Sequence, residues 1–161
     1  MASGVVQLGS AVVGGAFCFA AVGKALEPAE VMASMAYLAG MAEVPPPPTT
    51  VLAAVAALVA GLEWILGCWL IAGRWLRPAL MTAVGFLALL TIAVVMLVAD
   101  EAPVGCGCGL PSLDAVAGPY HIVRNTVLLL ISGGALGMVL TRSSPAILVG
   151  STVGSHEADQ S

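Results

Sequence analysis

Two cysteines one residue apart, Cys106 and Cys108, are the side chains in this sequence best suited to chemistry. We call them the CxC pair. The glycines on either side and between them give the backbone the freedom that a very small disulfide ring needs. Such a ring would be strained, and strained, exposed disulfides are readily reduced and re-formed. The pair can therefore exchange electrons with a partner thiol, bind a soft metal ion, or act only as an inert loop feature or a permanent staple.

Polar residues at the ends of apolar segments favour the redox interpretation. His121, Arg124 and Asn125 open the apolar segment that follows the cysteines, and Lys24 closes the first apolar segment. Nearby positive charge stabilises a thiolate and lowers the pKa of a cysteine. An arginine in the first turn of an apolar helix is usually paired or functional, whereas Lys24 could equally extend its charged end to the membrane interface. We expect these side chains to support the CxC pair.

Glu63 is a carboxylate inside another apolar segment. At 1.5 Å per residue it lies roughly 20 Å from the outer end of its helix. A charge at that depth needs a partner or a function. The sequence predicts an ion pair with Lys24 or Arg124, reached through a water-filled cleft because of the depth, and a role in proton transfer is the alternative.

The two remaining cysteines, Cys18 and Cys68, lie in the first and second apolar segments. We expect Cys18 in the outer half of its segment and Cys68 near the inner end of the other. This separation predicts that they do not bridge directly. Cys18 would meet the CxC pair if that loop folds inward, and Cys68 is expected to be a small packing residue.

The composition identifies the elements that must position these residues. Of the 161 residues, 60% are hydrophobic and 9% are charged, and the mean hydropathy is +1.05. Soluble domains carry about 25% charged residues. The chain is therefore predicted to be an integral membrane protein in a lipid bilayer. Its 5 basic residues are scattered and outnumbered by 9 acidic ones, which excludes a nucleic-acid surface.

Four apolar segments are long enough to cross a hydrocarbon core of roughly 30 Å. The sequence predicts an all-α bundle of four transmembrane helices within residues 1–142, followed by a disordered tail, 143–161. The predicted spans are residues 5–24, 49–72, 78–99 and 121–141.

Two further features of the bundle follow from proline and glycine. Pro28 is placed to open a short helix along the membrane surface between the first two spans, and the prolines at 45–48 predict a stiff connector after it. Gly133, Gly134 and Gly137 of the last span predict a face that packs closely against a neighbouring helix.

Loop charges predict the orientation of the bundle. Arg74 and Arg77 lie between the second and third spans and Arg142 follows the fourth, whereas the other two loops are acidic. The positive-inside rule then places both termini in the cytoplasm. Cys106 and Cys108 consequently face the oxidising outer side of a bacterial inner membrane, where disulfides persist.

These motifs, taken in order, resemble the methylamine utilisation protein MauE family, within the wider DoxX-like group of four-helix membrane proteins. The resemblance covers about residues 5–140. The matching motifs are Ala21-Val22-Gly23-Lys24 with Glu27-Pro28, Gly61-Leu62-Glu63, Gly73-Arg74, Cys106-Gly107-Cys108-Gly109 and Arg124-Asn125. The chain departs from the family's frequent Cys-Gly-Cys-Phe-Gly, because Gly109-Leu110 follows Cys108.

The resemblance implies a thiol-disulfide role for Cys106 and Cys108, with Lys24, Glu63 and Arg124 among the family positions. Family members are implicated in maturing the disulfide-rich small subunit of methylamine dehydrogenase, alongside a thioredoxin-like partner. A thioredoxin-like extracytoplasmic protein or a cysteine-rich client is therefore the expected partner of this chain.

Two other functions stay open on the sequence alone. The CxC pair, with His121, Met41 or Met96, could pass Cu(I), because thiolates and thioethers select soft metals. The chain could also be a non-catalytic subunit that packs against a larger membrane complex. No cofactor is firmly implied, and a quinone near His121 and Arg124 is a hypothesis for the electron acceptor.

Overall fold

A computed structural model of the protein describes residues 2–104 and 118–142. Within these residues the chain is all helical and has no strand. The helices are α1 (Ala2–Leu26), α2 (Pro28–Met41), α3 (Thr49–Ala72), α4 (Leu76–Ala99) and α5 (Pro119–Arg142). All but α2 are long and apolar enough to cross a membrane. The predicted fold class, a four-helix membrane bundle with a short additional helix, is confirmed, while the CxC pair and the C-terminal tail lie outside the described residues.

Helices α1 and α2 are separated by a single residue, Glu27. Pro28 takes the first position of α2, where its missing N–H is not needed for a helical hydrogen bond. The Glu27 N–H still donates to the carbonyl oxygen of Gly23 at 3.0 Å. Helix α2 contacts α3 and α4. It therefore continues along the bundle from the point at which α1 ends.

The connectors on either side of α3 differ in construction. The prolines before it lie outside any helix, and Pro48 is extended, with φ −53° and ψ 146°. After α3 the chain reverses at Gly73, whose φ of 67° suits a residue without a side chain. The Trp69 indole N–H donates to the carbonyl oxygen of Arg74 at 2.8 Å and closes this turn. The turn thereby sets α4 beside α3.

Helix α1 packs between α3 and α5. Its Phe17 meets Phe86 of α4, with ring centroids 5.9 Å apart. The buried residues of α1 recur at every third or fourth position, which places them on one face. They are Val6, Ser10, Val13, Phe17, Ala20, Ala21 and Lys24. Because Lys24 continues this stripe, α1 carries a charge into the bundle.

Two glycines bring the backbones of α1 and α3 into contact. A Cβ on Gly14 would lie 2.7 Å from the carbonyl oxygen of Gly67, and a Cβ on Gly67 would lie 2.7 Å from that of Gly14. Real Cβ atoms do not approach oxygen so closely, so each position accepts only glycine without a shift of the helices. We call this contact the glycine seam, and it is the kind of close approach that small residues permit between membrane helices.

The glycines of α5 do not pack as predicted. A Cβ on Gly133, Gly134 or Gly137 would meet no atom of the described residues within 4 Å. Instead, the neighbouring Ser132 and Ala135 are buried. Helix α5 turns its polar stripe towards α1 and leaves its glycines on the outer surface of the described bundle.

Candidate functional site

A buried ion pair joins α1 to α3. Lys24 Nζ donates to both carboxylate oxygens of Glu63, at 2.8 Å to each. The side chains are 3% and 0% exposed, respectively. The predicted ion pair is therefore confirmed with Lys24 as the partner, and its two hydrogen bonds offset part of the cost of removing both charges from water.

The ion pair excludes one of the two alternatives for Lys24. Its side chain does not extend to the membrane interface, because it is 3% exposed and donates to Glu63 inside the bundle. Since α1 ends at Leu26, its last turn brings Lys24 to the level of Glu63. The water-filled cleft around the pair stays a prediction.

Helix α5 adds polar side chains to this pair. His121, Arg124 and Asn125 are three and four residues apart and so share one face of the helix. Arg124 lies close enough to Glu63 to interact with it electrostatically, and its Nη2 donates to Asn125 Oδ1 at 3.3 Å. The structure thus brings together Lys24, Glu63, Arg124 and Asn125 from three helices, and we call these four residues the charge cluster.

His121 lies one turn before the charge cluster on the same helix. Its side chain is only 2% exposed, and its ring meets that of Tyr120 edge-on, with centroids 5.7 Å apart. The backbone N–H of His121 donates to the carbonyl oxygen of Gly118 at 3.0 Å in the first turn of α5. His121 therefore lies between the charge cluster and the segment that carries the CxC pair.

Counted over its own four residues, the charge cluster sums to one positive charge. Lys24 and Glu63 together contribute zero as an ion pair, and this sum is unchanged if a proton passes from one to the other. Because arginine side chains are always protonated in proteins, Arg124 supplies the extra charge in this sum. Asn125 is 2% exposed, and its Nδ2 has no hydrogen-bond acceptor among the described residues. The cluster is thus suited to an anionic or hydrogen-bond-accepting group.

Cys106 and Cys108 lie outside the described residues, in the segment between α4 and α5. At the start of that segment Asp100 accepts a hydrogen bond from the Tyr37 hydroxyl of α2. This bond to a carboxylate raises the pKa of Tyr37 above its ordinary value of 10.0. The contact ties the end of α4 to α2, on the side of the bundle where the CxC segment leaves it.

The residues named for copper are spread over different helices. Met41 ends α2 and Met96 lies on α4, and both are exposed, at 39% and 44%. The described residues contain no group of three or more His, Cys, Asp or Glu side chains that could hold a metal ion. The cysteines of the copper hypothesis lie outside the described residues, so that hypothesis stays a prediction.

Cys18 and Cys68 form a contact that the sequence interpretation missed. Their thiols interact electrostatically across the glycine seam, so the prediction that they lie at different levels is wrong, although both are free cysteines with no disulfide between them. Cys18 is one turn after Gly14, and its Sγ would lie 2.6 Å from a Cβ on Gly67. The sequence signal was the pairing of each cysteine with a nearby glycine, a combination typical of closely crossing membrane helices.

A groove of about 540 Å³ opens beside Lys24, and neither cysteine is among its lining residues. It lies between the end of α1, the start of α2 and α3, and its walls are apolar apart from Lys24. Val22, Ala57, Gly61 and Trp64 are among its lining residues. The groove therefore runs along the outer side of the helix pair that holds Lys24 and Glu63.

The motifs and the fold agree with one comparison to known proteins. The chain matches the family model described as methylamine utilisation protein MauE over residues 3–140. No curated protein and no solved structure is significantly similar to it. Because the match spans all four long helices and the segment carrying the CxC pair, this chain is a multi-pass membrane protein that belongs to the methylamine utilisation protein MauE family.

Proposed function

We propose that this protein is a thiol-disulfide exchanger of the bacterial inner membrane, in which Cys106 and Cys108 form a reversible disulfide on the extracytoplasmic side. The observation that carries the proposal is the charge cluster, which holds one net positive charge on the helix that follows the CxC pair. Inside a membrane bundle the low dielectric makes such a charge more effective than in water. It would stabilise a thiolate and thereby activate a cysteine.

The distribution of residues along the bundle supports an outward position for the CxC pair. Arg74 lies in the turn after α3 and Arg77 in the first turn of α4, both at the end of the bundle opposite Asp100. The positive-inside rule puts that arginine turn, and with it both termini, in the cytoplasm. The segment between α4 and α5 then faces the compartment in which disulfides are formed.

The exchange reaction needs no cofactor on this chain. A thiolate of the CxC pair attacks one sulfur of the partner's disulfide, so that an S–S bond forms between the proteins and the other partner sulfur leaves as a thiolate. The second cysteine then attacks the mixed disulfide, which closes the Cys106–Cys108 bond and releases the reduced partner. The reverse sequence oxidises the partner, and the potentials of the two proteins determine the direction.

Membership of the family supports a proposal for the class of partner. We propose a thioredoxin-like extracytoplasmic protein or a cysteine-rich client, with the small subunit of methylamine dehydrogenase as the client where the family's methylamine role applies. A very small, glycine-flanked disulfide ring would present its sulfurs to a large protein with little obstruction from side chains. Disulfide transfer to a folded or folding partner is the reaction that this arrangement suits.

A redox titration of the CxC pair tests the proposal. Membranes carrying the Cys18→Ser/Cys68→Ser variant would be equilibrated with dithiol buffers of known potential, alkylated and analysed by mass spectrometry. We expect a reversible Cys106–Cys108 disulfide with a potential well above about −300 mV, the range of exchange catalysts. Thiols that never pair, yet become protected by Cu(I), would contradict exchange and favour soft-metal handling. Stable co-purification with larger subunits after loss of both thiols would favour an accessory role.

A further inference from the structure

Cys18 and Cys68 are a second pair of thiols, separate from the CxC pair. They interact electrostatically across the glycine seam. The backbones approach closely at this level, because the Cys18 nitrogen would lie 3.0 Å from a Cβ on Gly67, the neighbour of Cys68. A disulfide between the two cysteines would require their Cα atoms to lie about 4.4–6.8 Å apart.

Both thiols lie one helical turn beyond the groove between α1 and α3, and neither is among its lining residues. Cys68 is exposed and Cys18 is half-buried, so a molecule dissolved in the bilayer can reach them. Val22 follows Cys18 by one helical turn and Trp64 precedes Cys68 by one turn, and both residues line the groove. The thiols therefore lie just past one end of the groove, in line with these two lining residues.

The groove has the size and lining of a site for a flat, apolar molecule. Its volume of about 540 Å³ is within the range of roughly 300–1,000 Å³ typical of small-molecule sites. Trp64 provides an aromatic surface, and Lys24 is the only charged residue among those that line the groove. Glu63 takes two of the three ammonium hydrogens of Lys24, so the third can be donated to a carbonyl oxygen.

We propose that Cys18 and Cys68 are a membrane-embedded dithiol that reduces a lipid-soluble quinone bound in this groove. Two S–H bonds break and one S–S bond forms between α1 and α3. The two electrons and two protons released pass to the quinone, whose two carbonyl oxygens become hydroxyl groups. The product is a quinol that returns to the bilayer, and the inference does not depend on the CxC pair.

The test uses the full chain with Cys106→Ser and Cys108→Ser, so that only the two membrane thiols remain. The reduced protein in lipid nanodiscs is mixed with decylubiquinone, and samples are alkylated and digested. We expect a peptide cross-linked through Cys18 and Cys68, with one quinol formed per disulfide. Thiols that stay fully reactive with the quinone unconsumed, or disulfides that join two chains instead, would overturn the proposal.

A groove-filling variant separates specific oxidation from nonspecific oxidation. Gly61 lines the groove, and a Cβ there would meet no atom within 4 Å, so Gly61→Leu should fold normally and occupy the space. We expect it to slow quinone-dependent disulfide formation by about tenfold, equivalent to losing about 1.4 kcal/mol of binding. Oxidation by the small reagent diamide should be unchanged. Gly85→Leu, at an equally open position on α4, is the matched control, and equal rates in both variants would contradict a bound quinone.

Discussion

The glycines of the seam and the glycines of α5 show two different uses of the same residue in one bundle. Gly14 and Gly67 touch each other's backbone, whereas Gly133 and Gly134 have open space around them. Apolar packing alone does not decide which face of a membrane helix turns inward, because lipid is as apolar as leucine. In this protein the inward faces carry the buried polar residues, including Lys24 on α1 and Asn125 on α5. Polar side chains, more than glycines, therefore specify the orientation of these helices.

The largest effect is expected from breaking the ion pair that fixes the seam. Glu63→Leu leaves the buried Lys24 charge without its partner, which should lower the free energy of unfolding by about 3–5 kcal/mol. The double variant Lys24→Met/Glu63→Leu should recover most of that loss, because no unpaired charge of the pair remains. Unfolding in mixed micelles, followed at increasing fractions of a denaturing detergent, would measure the free energy of unfolding of both variants. Equal losses in the single and double variants would show that the pair does not determine the packing of α1 on α3.

The comparison between the two sets of glycines can be tested by adding a single methyl group. Gly67→Ala places a Cβ against the Gly14 carbonyl oxygen, a backbone atom that cannot move aside, and should lower the free energy of unfolding by about 1–3 kcal/mol. Gly134→Ala meets nothing and should be neutral or stabilise the helix by up to about 1 kcal/mol. The same unfolding assay applies. A large loss in Gly134→Ala would indicate that a partner helix covers α5.

A smaller effect is expected where α2 meets the end of α4. The hydrogen bond to Asp100 raises the pKa of Tyr37, so the contact stabilises the folded state below the unfolded tyrosine pKa of about 10. Its stabilisation is lost as the pH rises through the folded-state pKa, when the tyrosinate can no longer donate. Unfolding measured between neutral pH and strongly alkaline pH should show this loss in the wild type and not in Tyr37→Phe. Identical pH dependence in both proteins would contradict the contact.

Much of this fold could be predicted from the sequence. Long apolar segments define the four spanning helices, Pro28 opens α2, and the cost of burying Glu63 predicts a cationic partner. What the sequence did not reveal is the register of α1 against α3. That register depends on where α1 ends, which is set by the break at Glu27. The register places Cys18 beside Cys68.

Part of the candidate site could also be predicted. The spacing of His121, Arg124 and Asn125 places them on one face of a helix, and their polarity predicts that this face turns inward. The outward position of the α5 glycines could not be predicted, because small residues are equally compatible with close packing and with a lipid-facing surface. Only the competition with the polar stripe of the same helix decides between the two.

The most direct test of the account concerns the effect of the Arg124 charge on the CxC pair. In the Cys18→Ser/Cys68→Ser background, the rate of alkylation of reduced Cys106 and Cys108 by iodoacetamide would be measured across pH. We expect a midpoint below about 8.5, the ordinary thiol value. Arg124→Gln should raise this midpoint by about one pH unit, whereas Arg77→Gln, at the opposite end of the bundle, should not. An ordinary midpoint that neither substitution changes would contradict the proposal that the charge cluster activates these thiols.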